Sequence, residues 1–577
     1  MDSAAIRLPP QPSSSEPSAS GALEEVVEVL NRLIPSTVSI NSFGSRWQVL
    51  RVKLASLKSI VGEIADSAPR SENPLLQPLL SALTSTLLRV EILCRQCSDA
   101  SFSRGKLLMQ SDLDMAAGWL SKQINDLELL IRSGVLSQST AIVPSRPNGN
   151  SSTEELTFFV KDLFARLQIG GLEFKRKALD SLIQILSEDL SSAVIVAKEG
   201  NLNCLISLLD SNSHDSIREL VVHALSLLVS AGDLPRKCVF EEGALGPLLR
   251  TIDCSSILMK EKAAMAVEFI TSQSDHAWAI SAYGGVPILV ELCKSGTPTA
   301  QSHAIGSIRN ISIVEDIQIA LAEEGAIPVL MQLLVSGNAS AQLKSANCIS
   351  ILASSGEHFR DLFLKEQCLS KLLHLFHECP TANTLEHVLR AIYSLSTSDA
   401  TCRYLCESTM FVARIAELIQ YGKLIRLQHI AASLLAKLPV NDSGKTPISI
   451  SGCISSLLKL METVKPNGIQ EVAAKALVTV LSVKSNRKAF VRDDECLSRL
   501  VKMLDPENEV VSKKFPVAIV AAVMARGSQA CRKKLVAAGV CGHLKRLGEM
   551  DVPGAKKALQ RLSANRLITI LSMSWKE

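Results

Sequence analysis

The stretch Glu323-Glu-Gly-Ala-Ile-Pro-Val-Leu-Met-Gln-Leu-Leu334 contains the elements that decide the fold of this chain. Counted from Gly325, leucines follow at the fifth, eighth and ninth positions, and this spacing places them on one face of a helix. Gly325 supplies the positive φ that ends the preceding helix. Pro328 lies in the first turn of the next helix, where its missing N–H costs nothing. The stretch therefore predicts two helices separated by a glycine break.

The same register recurs eight more times between residues 200 and 548. Successive anchor positions are 41 to 44 residues apart, a period typical of helical repeats that stack into a solenoid. The other anchors are Gly200, Gly243, Gly284, Gln367, Met410, Gly452, Glu495 and Gly539, and the residues five positions after them are Leu205, Leu248, Leu289, Leu372, Ile415, Leu457, Leu500 and Leu544.

The composition agrees with stacked helices. A chain of 577 residues would ordinarily contain several domains, but a solenoid extends one continuous core by adding repeats. Hydrophobic residues make up 47% of the chain and aromatic residues only 4%, as expected for thin helical layers filled by aliphatic side chains. The net charge of +4 is too small to indicate a nucleic-acid partner.

Cysteine usage and the absence of targeting signals predict a soluble protein in the cytoplasm, with the nucleus left open. The 15 cysteines form no paired framework, which indicates a reducing compartment. Several, such as Cys293, Cys453 and Cys496, occupy apolar helix faces. No secretory signal precedes the helices, and the longest apolar run, Phe515 to Ala525, is shorter than the roughly 20 residues of a membrane span.

The chain is predicted to have four parts. Residues 1–20 are rich in Pro and Ser and form a disordered tail, 21–136 form an N-terminal helical bundle, 137–152 form a linker, and 153–577 form the solenoid. Four amphipathic runs make up the bundle: Ala22–Leu33, Trp47–Ser67, Pro74–Cys97 and Ser111–Ser133. Each solenoid unit after the first contains a short helix, an anchor helix and a longer helix, as in Asp316–Ala322 followed by 326–334 and Gln342–Ala353.

This chain resembles the armadillo repeat family over residues 153–577. The resemblance rests on the Gly-x-x-Pro-x-Leu-x-x-Leu-Leu register of 325–334 and on Ser307-Ile-Arg-Asn-Ile-Ser312. It implies an all-α fold, with the bundle followed by a right-handed armadillo-type α-solenoid of nine to ten repeats. The segment containing Gly105-Lys-Leu-Leu108 and Gln110-Ser-Asp-Leu-Asp114 resembles the N-terminal domain of plant U-box armadillo proteins. The U-box itself is lacking, because the linker leads directly into the solenoid.

In armadillo proteins the third helix of each repeat lines a concave groove, where a ladder of asparagines clamps the main chain of a bound peptide. Here only Asn310 keeps the asparagine, which argues against recognition of an extended peptide in the way that nuclear import receptors recognise one. The matching positions are Leu227, Phe269, Asn310, Ile351, Ser394, Lys437, Thr479 and Val523.

Polar and basic residues near these positions predict a groove floor for other proteins. The candidate partner-binding residues are His303, Asn310, Lys344, Asn347, His387, Arg390, Lys437 and Lys475. They would receive an acidic or phosphorylated segment of a partner, with each exposed charge contact contributing about 1 kcal/mol or less. The alternative interpretation is that these residues are solvated helix faces.

No motif for catalysis, cofactor binding or metal binding occurs in the sequence. We find no G-x-x-x-x-G-K-[ST], no G-x-G-x-x-G after a strand and no H-E-x-x-H. We therefore expect no enzymatic activity, no cofactor, no metal and no small-molecule substrate. The predicted function is a protein–protein interaction scaffold or adaptor. Two alternatives are a substrate adaptor of a ubiquitin ligase assembled in trans and a nuclear transport receptor.

Overall fold

The computed structural model describes residues 19–40, 42–66, 75–98, 105–132, 152–189, 191–210, 213–378, 381–439, 452–525 and 529–563. Every regular element in these ranges is helical, and none of the residues there forms a strand. The predicted all-α class is therefore confirmed. The chain divides into two compact units, Met1–Ile270 and Thr271–Glu577, which are described separately below.

The first unit begins with four long helices. They are α1 (Ala19–Val38), α2 (Gly44–Ala65), α3 (Leu76–Ser98) and α4 (Lys106–Arg132). Helix α1 packs on α2 and α3, and α4 packs on α2 and α3. Steps of three and four residues place Trp47, Leu50, Leu54 and Leu57 on one face of α2, and all four are fully buried. That face forms the centre of the four-helix core.

This core extends into the next part of the chain. Helix α5 (Thr153–Ile169) packs on α4, and Ala165 of α5 is buried within the core of the four helices. Ile169 and Phe174 also pack against that core. Because the four helices share a core with α5, the two compact units do not divide at the predicted linker. Residues 137–151 of that linker lie outside the described residues.

Seven further helices complete the first unit. Gly170 and Gly171 separate α5 from α6. These helices are α6 (Leu172–Glu188), α7 (Ser192–Glu199), α8 (Leu202–Ser207), α9 (Asp215–Ser230), α10 (Asp233–Glu241), α11 (Leu245–Cys254) and α12 (Ile257–Thr271), whose last residue begins the second unit.

The second unit repeats a pattern of three helices. Where the structure describes the whole repeat, a short first helix or helix pair precedes the anchor, the second helix follows it, and a third helix follows the second; residues 440–451, ahead of the anchor Gly452, lie outside the described residues. The elements are α13 (Ser274–Ala277), α14 (Ala279–Ala282), α15 (Gly285–Ser295), α16 (Pro298–Ile311), α17 (Glu315–Glu323), α18 (Ala326–Ser336), α19 (Ala339–Ser355), α20 (Glu357–Lys365), α21 (Cys368–Glu378), α22 (Ala382–Leu395), α23 (Asp399–Glu407), α24 (Thr409–Tyr421), α25 (Ile425–Lys437), α26 (Ile454–Met461), α27 (Ile469–Val480), α28 (Lys484–Arg492), α29 (Asp494–Leu504), α30 (Lys514–Val523), α31 (Gln529–Ala537) and α32 (Val540–Glu549), with residues 555–563 also helical.

The leucine register forms the core as the spacing predicted. All nine residues five positions after an anchor, from Leu205 to Leu544, are fully buried. Gly325 has a φ of 79° and ends α17. The anchor Gln367 occupies the same left-handed conformation, with a φ of 56°, although it carries a side chain. At Met410 and Glu495 the helix break is displaced by two residues, because Ser408 and Asp493 cap the following helices.

Candidate protein-docking surface

The third helices of the second unit form one stack. Helix α16 packs on α19, α19 on α22, α22 on α25, α25 on α27 and α27 on α30. We call these six helices the third-helix stack. Their apolar residues face the core, and a strip of polar residues remains toward solvent, with Arg390 and Lys475 among its exposed members. The candidate binding residues lie on this strip or directly beneath it.

Polar side chains link successive helices of the stack. The Ser302 hydroxyl lies 2.9 Å from the Ser340 hydroxyl, and the Ser354 hydroxyl lies 2.9 Å from that of Ser394. The Thr479 hydroxyl donates to the Ala436 carbonyl at 3.3 Å. These partners lie 38 to 43 residues apart, close to one repeat. Part of the polar strip therefore joins repeats to one another.

Three of the predicted site residues take part in this linkage. Asn310 is buried, and its amide donates to the Thr271 hydroxyl at 3.2 Å. The Lys344 ammonium donates to the Ser302 carbonyl at 2.9 Å. Asn310 and Lys344 thus contribute hydrogen bonds to the stack itself.

Lys437 is the third of these residues and is half-buried on α25. Its ammonium donates to the carbonyls of Tyr393 and Ser396, each at 3.2 Å, and lies 3.5 Å from the centre of the Tyr393 ring. Burial lowers the pKa of Lys437, while the Cys402 thiol nearby acts in the opposite direction. Lys437 therefore ties α25 to α22 at the carboxyl end of α22.

The remaining predicted residues divide between two places. His303 and Asn347 are half-buried on α16 and α19. Lys475 is exposed on α27 and pairs with Glu471 at 2.7 Å on the same helix. His387 and Arg390 lie together on α22, in a group that also includes residues the sequence did not single out.

That group surrounds the carboxylate of Glu386. Glu386 contacts the Arg390 guanidinium at 2.7 Å and lies 3.8 Å from the Arg426 guanidinium of α25. The Glu386 side chain is only 8% exposed, whereas the side chains of Arg390 and Arg426 are 51% and 71% exposed. The carboxylate is thus largely buried, whereas the two arginine side chains that approach it are largely exposed.

Electrostatic effects connect this group with Arg309 of α16 and with His429 of α25. Burial lowers the pKa of His387, the neighbouring Glu386 raises it, and the positive charges of Arg390 and Arg309 lower it further. Burial and Arg390 likewise lower the pKa of His429 on α25. The charge of Arg390 thus acts on both imidazole rings, and that of Arg309 acts on His387. We call Arg309, Glu386, His387, Arg390, Arg426 and His429 the Glu386 cluster.

Two buried nitrogen atoms of this cluster have no hydrogen-bond partner among the described residues. They are Nε of Arg309 and Nδ1 of His387. Sequence reasoning missed Arg309 and Arg426 because interactions across repeats are not visible within one helix, and it missed Glu386, one turn from Arg390 on the same helix, because only cations were considered. The available signal was the repeat offset: Glu386 and Arg426 lie 40 residues apart, about one period, which places them on successive third helices.

The described parts of the chain also bear on metal sites, disulfides and membrane spans. No group of three or more His, Cys, Asp or Glu side chains there could hold a metal ion. The thirteen cysteine side chains that the structure describes are free thiols. No single helix in the described ranges is long and apolar enough to cross a bilayer. Helices α17 and α18 reach that length and apolarity only as a pair bent by 81°.

Comparisons with known proteins support the fold. An engineered protein from a structural genomics consortium aligns with 70% of this chain and 98% of its own, at 23% identity and a TM-score of 0.59. Two designed armadillo repeat proteins each align with 41% of this chain and 99% of their own. Their identities are 20% and 23%, and their TM-scores are 0.39 and 0.38; the second was solved with the peptide (KR)4. No curated protein matches this sequence.

The three-helix repeat and the first of these alignments define an all-α solenoid. The four-helix part has a separate match. Residues 24–135 fit a family model described as a domain of unknown function, DUF7032.

Proposed function

We propose that this protein is a non-enzymatic scaffold that docks other proteins on the third-helix stack, and that the docked segment is acidic. The observation that carries the proposal is the Glu386 cluster, in which the guanidinium groups of Arg390 on α22 and Arg426 on α25 both approach one carboxylate. The two arginines carry one more positive charge than Glu386 neutralises, and their side chains are exposed at the surface of the stack. An acidic segment laid across these helices would supply the missing negative charge.

The structure divides the cations of the stack into two kinds. Lys344 and Lys437 hold neighbouring helices together, so docking would depend chiefly on the arginines. Each exposed ion pair contributes about 1 kcal/mol or less. Useful affinity therefore requires several contacts along the strip, and His303, Asn347 and Lys475 lie where such contacts would form.

Docking of this kind would suit an adaptor, which brings a bound partner to another protein. We extend the proposal to that role, with the four-helix part as the second contact. An adaptor role in ubiquitination, a relationship to plant U-box armadillo proteins and a cytoplasmic location remain predictions from the sequence. A transport receptor, by contrast, would be expected to prefer basic peptides.

Fluorescein-labelled octaglutamate and (Lys-Arg)4 peptides test the proposal by fluorescence anisotropy with the full chain. We expect octaglutamate to bind, and the double variant Arg390→Glu, Arg426→Glu to weaken binding at least about tenfold through loss of two attractive contacts and gain of two repulsive ones. The matched control is Lys365→Glu with Lys488→Glu, which makes the same charge change on exposed residues of the first helices α20 and α28. Preference for (Lys-Arg)4, or an equal effect of both double variants, would refute the proposal.

A further inference from the structure

An open groove of about 790 Å³ lies on the last repeat that the structure describes. Its apolar lining includes Val536 of α31, Cys541 of α32, and Leu559 and Leu562 of the helix formed by residues 555–563. Among the described residues, none of α28 to α30 lines it. The groove therefore lies on the side of the last repeat that faces away from the preceding one. We call it the end groove.

Such a side is covered elsewhere in the second unit. Helix α15 packs on α18, α18 on α21, and α29 on α32, so each of these second helices lies against that of the following repeat. Within the described ranges no helix follows residues 555–563, and Val536 remains 40% exposed. Stacked repeats bury their apolar faces through their neighbours, so the last face requires a cover from another source.

The chain leaves the last described helix at the end groove itself. The Arg532 guanidinium donates from Nε and Nη2 to the Leu562 carbonyl, at 2.8 and 2.6 Å. In a continuing helix that carbonyl would accept the N–H of residue 566, so Arg532 supplies the donor that otherwise comes from the next turn. Ser563, one residue later, also lines the end groove. Residues 564–577 therefore begin beside it.

Residues 564–577 have a sequence that favours burial. The nine residues from Leu567 to Trp575 carry no charge, and six of them are large and apolar. Leu567, Leu571 and Trp575 recur every fourth residue, a spacing that shares one side of a helix and also one side of a strand. Fourteen residues span about 20 Å as a helix and up to about 50 Å when extended, so the segment is long enough to cross the groove.

The covalent link favours this segment over a separate partner. A binding segment joined directly to its site acts at an effective concentration on the order of millimolar. Burial of residues 567–575 also removes no charged group from water. We propose that residues 564–577 fold back onto the end groove, where the side that carries Leu567, Leu571 and Trp575 covers the exposed apolar face of the last repeat. This proposal does not depend on the docking of acidic partners at the third-helix stack.

Hydrogen exchange of the full chain, measured by mass spectrometry, tests the proposal. We expect residues 564–577 to exchange at least about tenfold more slowly than a synthetic peptide of the same sequence, and equally so at low and high protein concentration. Leu571→Asp should abolish this protection, because a carboxylate would be buried without a partner. The matched control is Ser572→Asp, the same charge change on the adjacent residue, which lies on a different side of a helix or a strand and should preserve protection.

A second variant blocks the groove from within. A Cβ at Gly542 would meet no atom of the described residues within 4 Å, so Gly542→Phe can place its ring in the end groove without disturbing α32. This variant should speed the exchange of residues 564–577 by about tenfold or more. Gly118→Phe, at an exposed glycine of α4 that has similar space, is the control and should leave that exchange unchanged.

Exchange of residues 564–577 at the rate of the free peptide overturns the proposal. Protection that increases with protein concentration also overturns it, since a second copy of the chain would then cover the groove. Protection that survives Gly542→Phe, or that Leu571→Asp and Ser572→Asp reduce equally, means that the segment binds elsewhere and has the same consequence. If thermal unfolding shows that Gly542→Phe does not fold, the two substitutions at 571 and 572 still decide.

Discussion

Exchanging the residues at two anchor positions of the same register should change stability in opposite directions. Gly325 and Gln367 each end a first helix in the left-handed conformation, with φ values of 79° and 56°. A Cβ added at Gly325 would meet no atom within 4 Å, so Gly325→Ala should cost only the backbone strain. Gln367 is exposed, so Gln367→Gly should relieve that strain while removing few side-chain contacts.

The expected magnitude follows from two opposing terms. A side chain in the left-handed region costs about 1–2 kcal/mol. Replacing the glycine also lowers the conformational entropy of the unfolded chain, which stabilises the folded state by about 0.4–1 kcal/mol. Gly325→Ala should therefore destabilise the fold by about 0.5–1 kcal/mol, and Gln367→Gly should stabilise it by a similar amount.

Hydrogen exchange measured by mass spectrometry resolves the effect locally, which suits a repeat protein that does not unfold in one step. Peptides covering α17 should exchange about two- to fivefold faster in Gly325→Ala, and peptides covering α20 should exchange more slowly by the same factor in Gln367→Gly. Changes of the same sign in both variants would refute the argument from backbone conformation.

Three further predictions follow from individual side chains. Gly118 is exposed within α4 with no atom near an added Cβ, so Gly118→Ala should raise the free energy of unfolding by about 1 kcal/mol, and a lower thermal midpoint would contradict this. Lys437→Met should lower the free energy of unfolding of the second unit, measured in urea, by about 1–2 kcal/mol, because two carbonyls of the preceding repeat lose their donor. Lys475→Met should change it by no more than about 0.5 kcal/mol. Equal effects of the two substitutions would contradict a role of Lys437 in linking α25 to α22. Burial lowers the pKa of His387 and His429 from 6.5, so the unfolded chain takes up protons first and the free energy of unfolding should fall as the pH drops below 6.5. In the double variant His387→Gln, His429→Gln this decline, measured by urea unfolding at several pH values, should be shallower. An unchanged slope would contradict the prediction.

The repeat architecture could be predicted from the sequence because its signal is local and repeated. The residue five positions after each anchor is buried in all nine copies, and the predicted third helix Gln342–Ala353 lies within α19. Helix ends were less predictable. Met410 and Glu495 fit the leucine spacing, but Ser408 and Asp493 cap the helices there, since a capping side chain acts through its own position and not through the repeat.

The docking surface was only partly visible in the sequence. The third-helix positions of Lys344, Arg390 and Lys437 follow from the register, but the acceptors of their hydrogen bonds do not. Lys344 and Lys437 donate to backbone carbonyls one repeat earlier. Because every residue has a backbone carbonyl, the sequence does not show which one accepts the hydrogen bond. The partner of Arg390 was one turn away on the same helix, at Glu386, and it was overlooked because only cations were considered.

The core shared by the four helices and α5 determines how this protein tolerates being cut. Removing residues before 152 would uncover Ala165 and leave Ile169 and Phe174 without the apolar partners they now have. Such a fragment would expose an apolar surface at its amino-terminal end, and this surface would bind many proteins regardless of their charge. Proteolytic cleavage between α4 and α5 should for the same reason leave the two fragments associated. They should separate only when denaturant unfolds the core that α4 and α5 share.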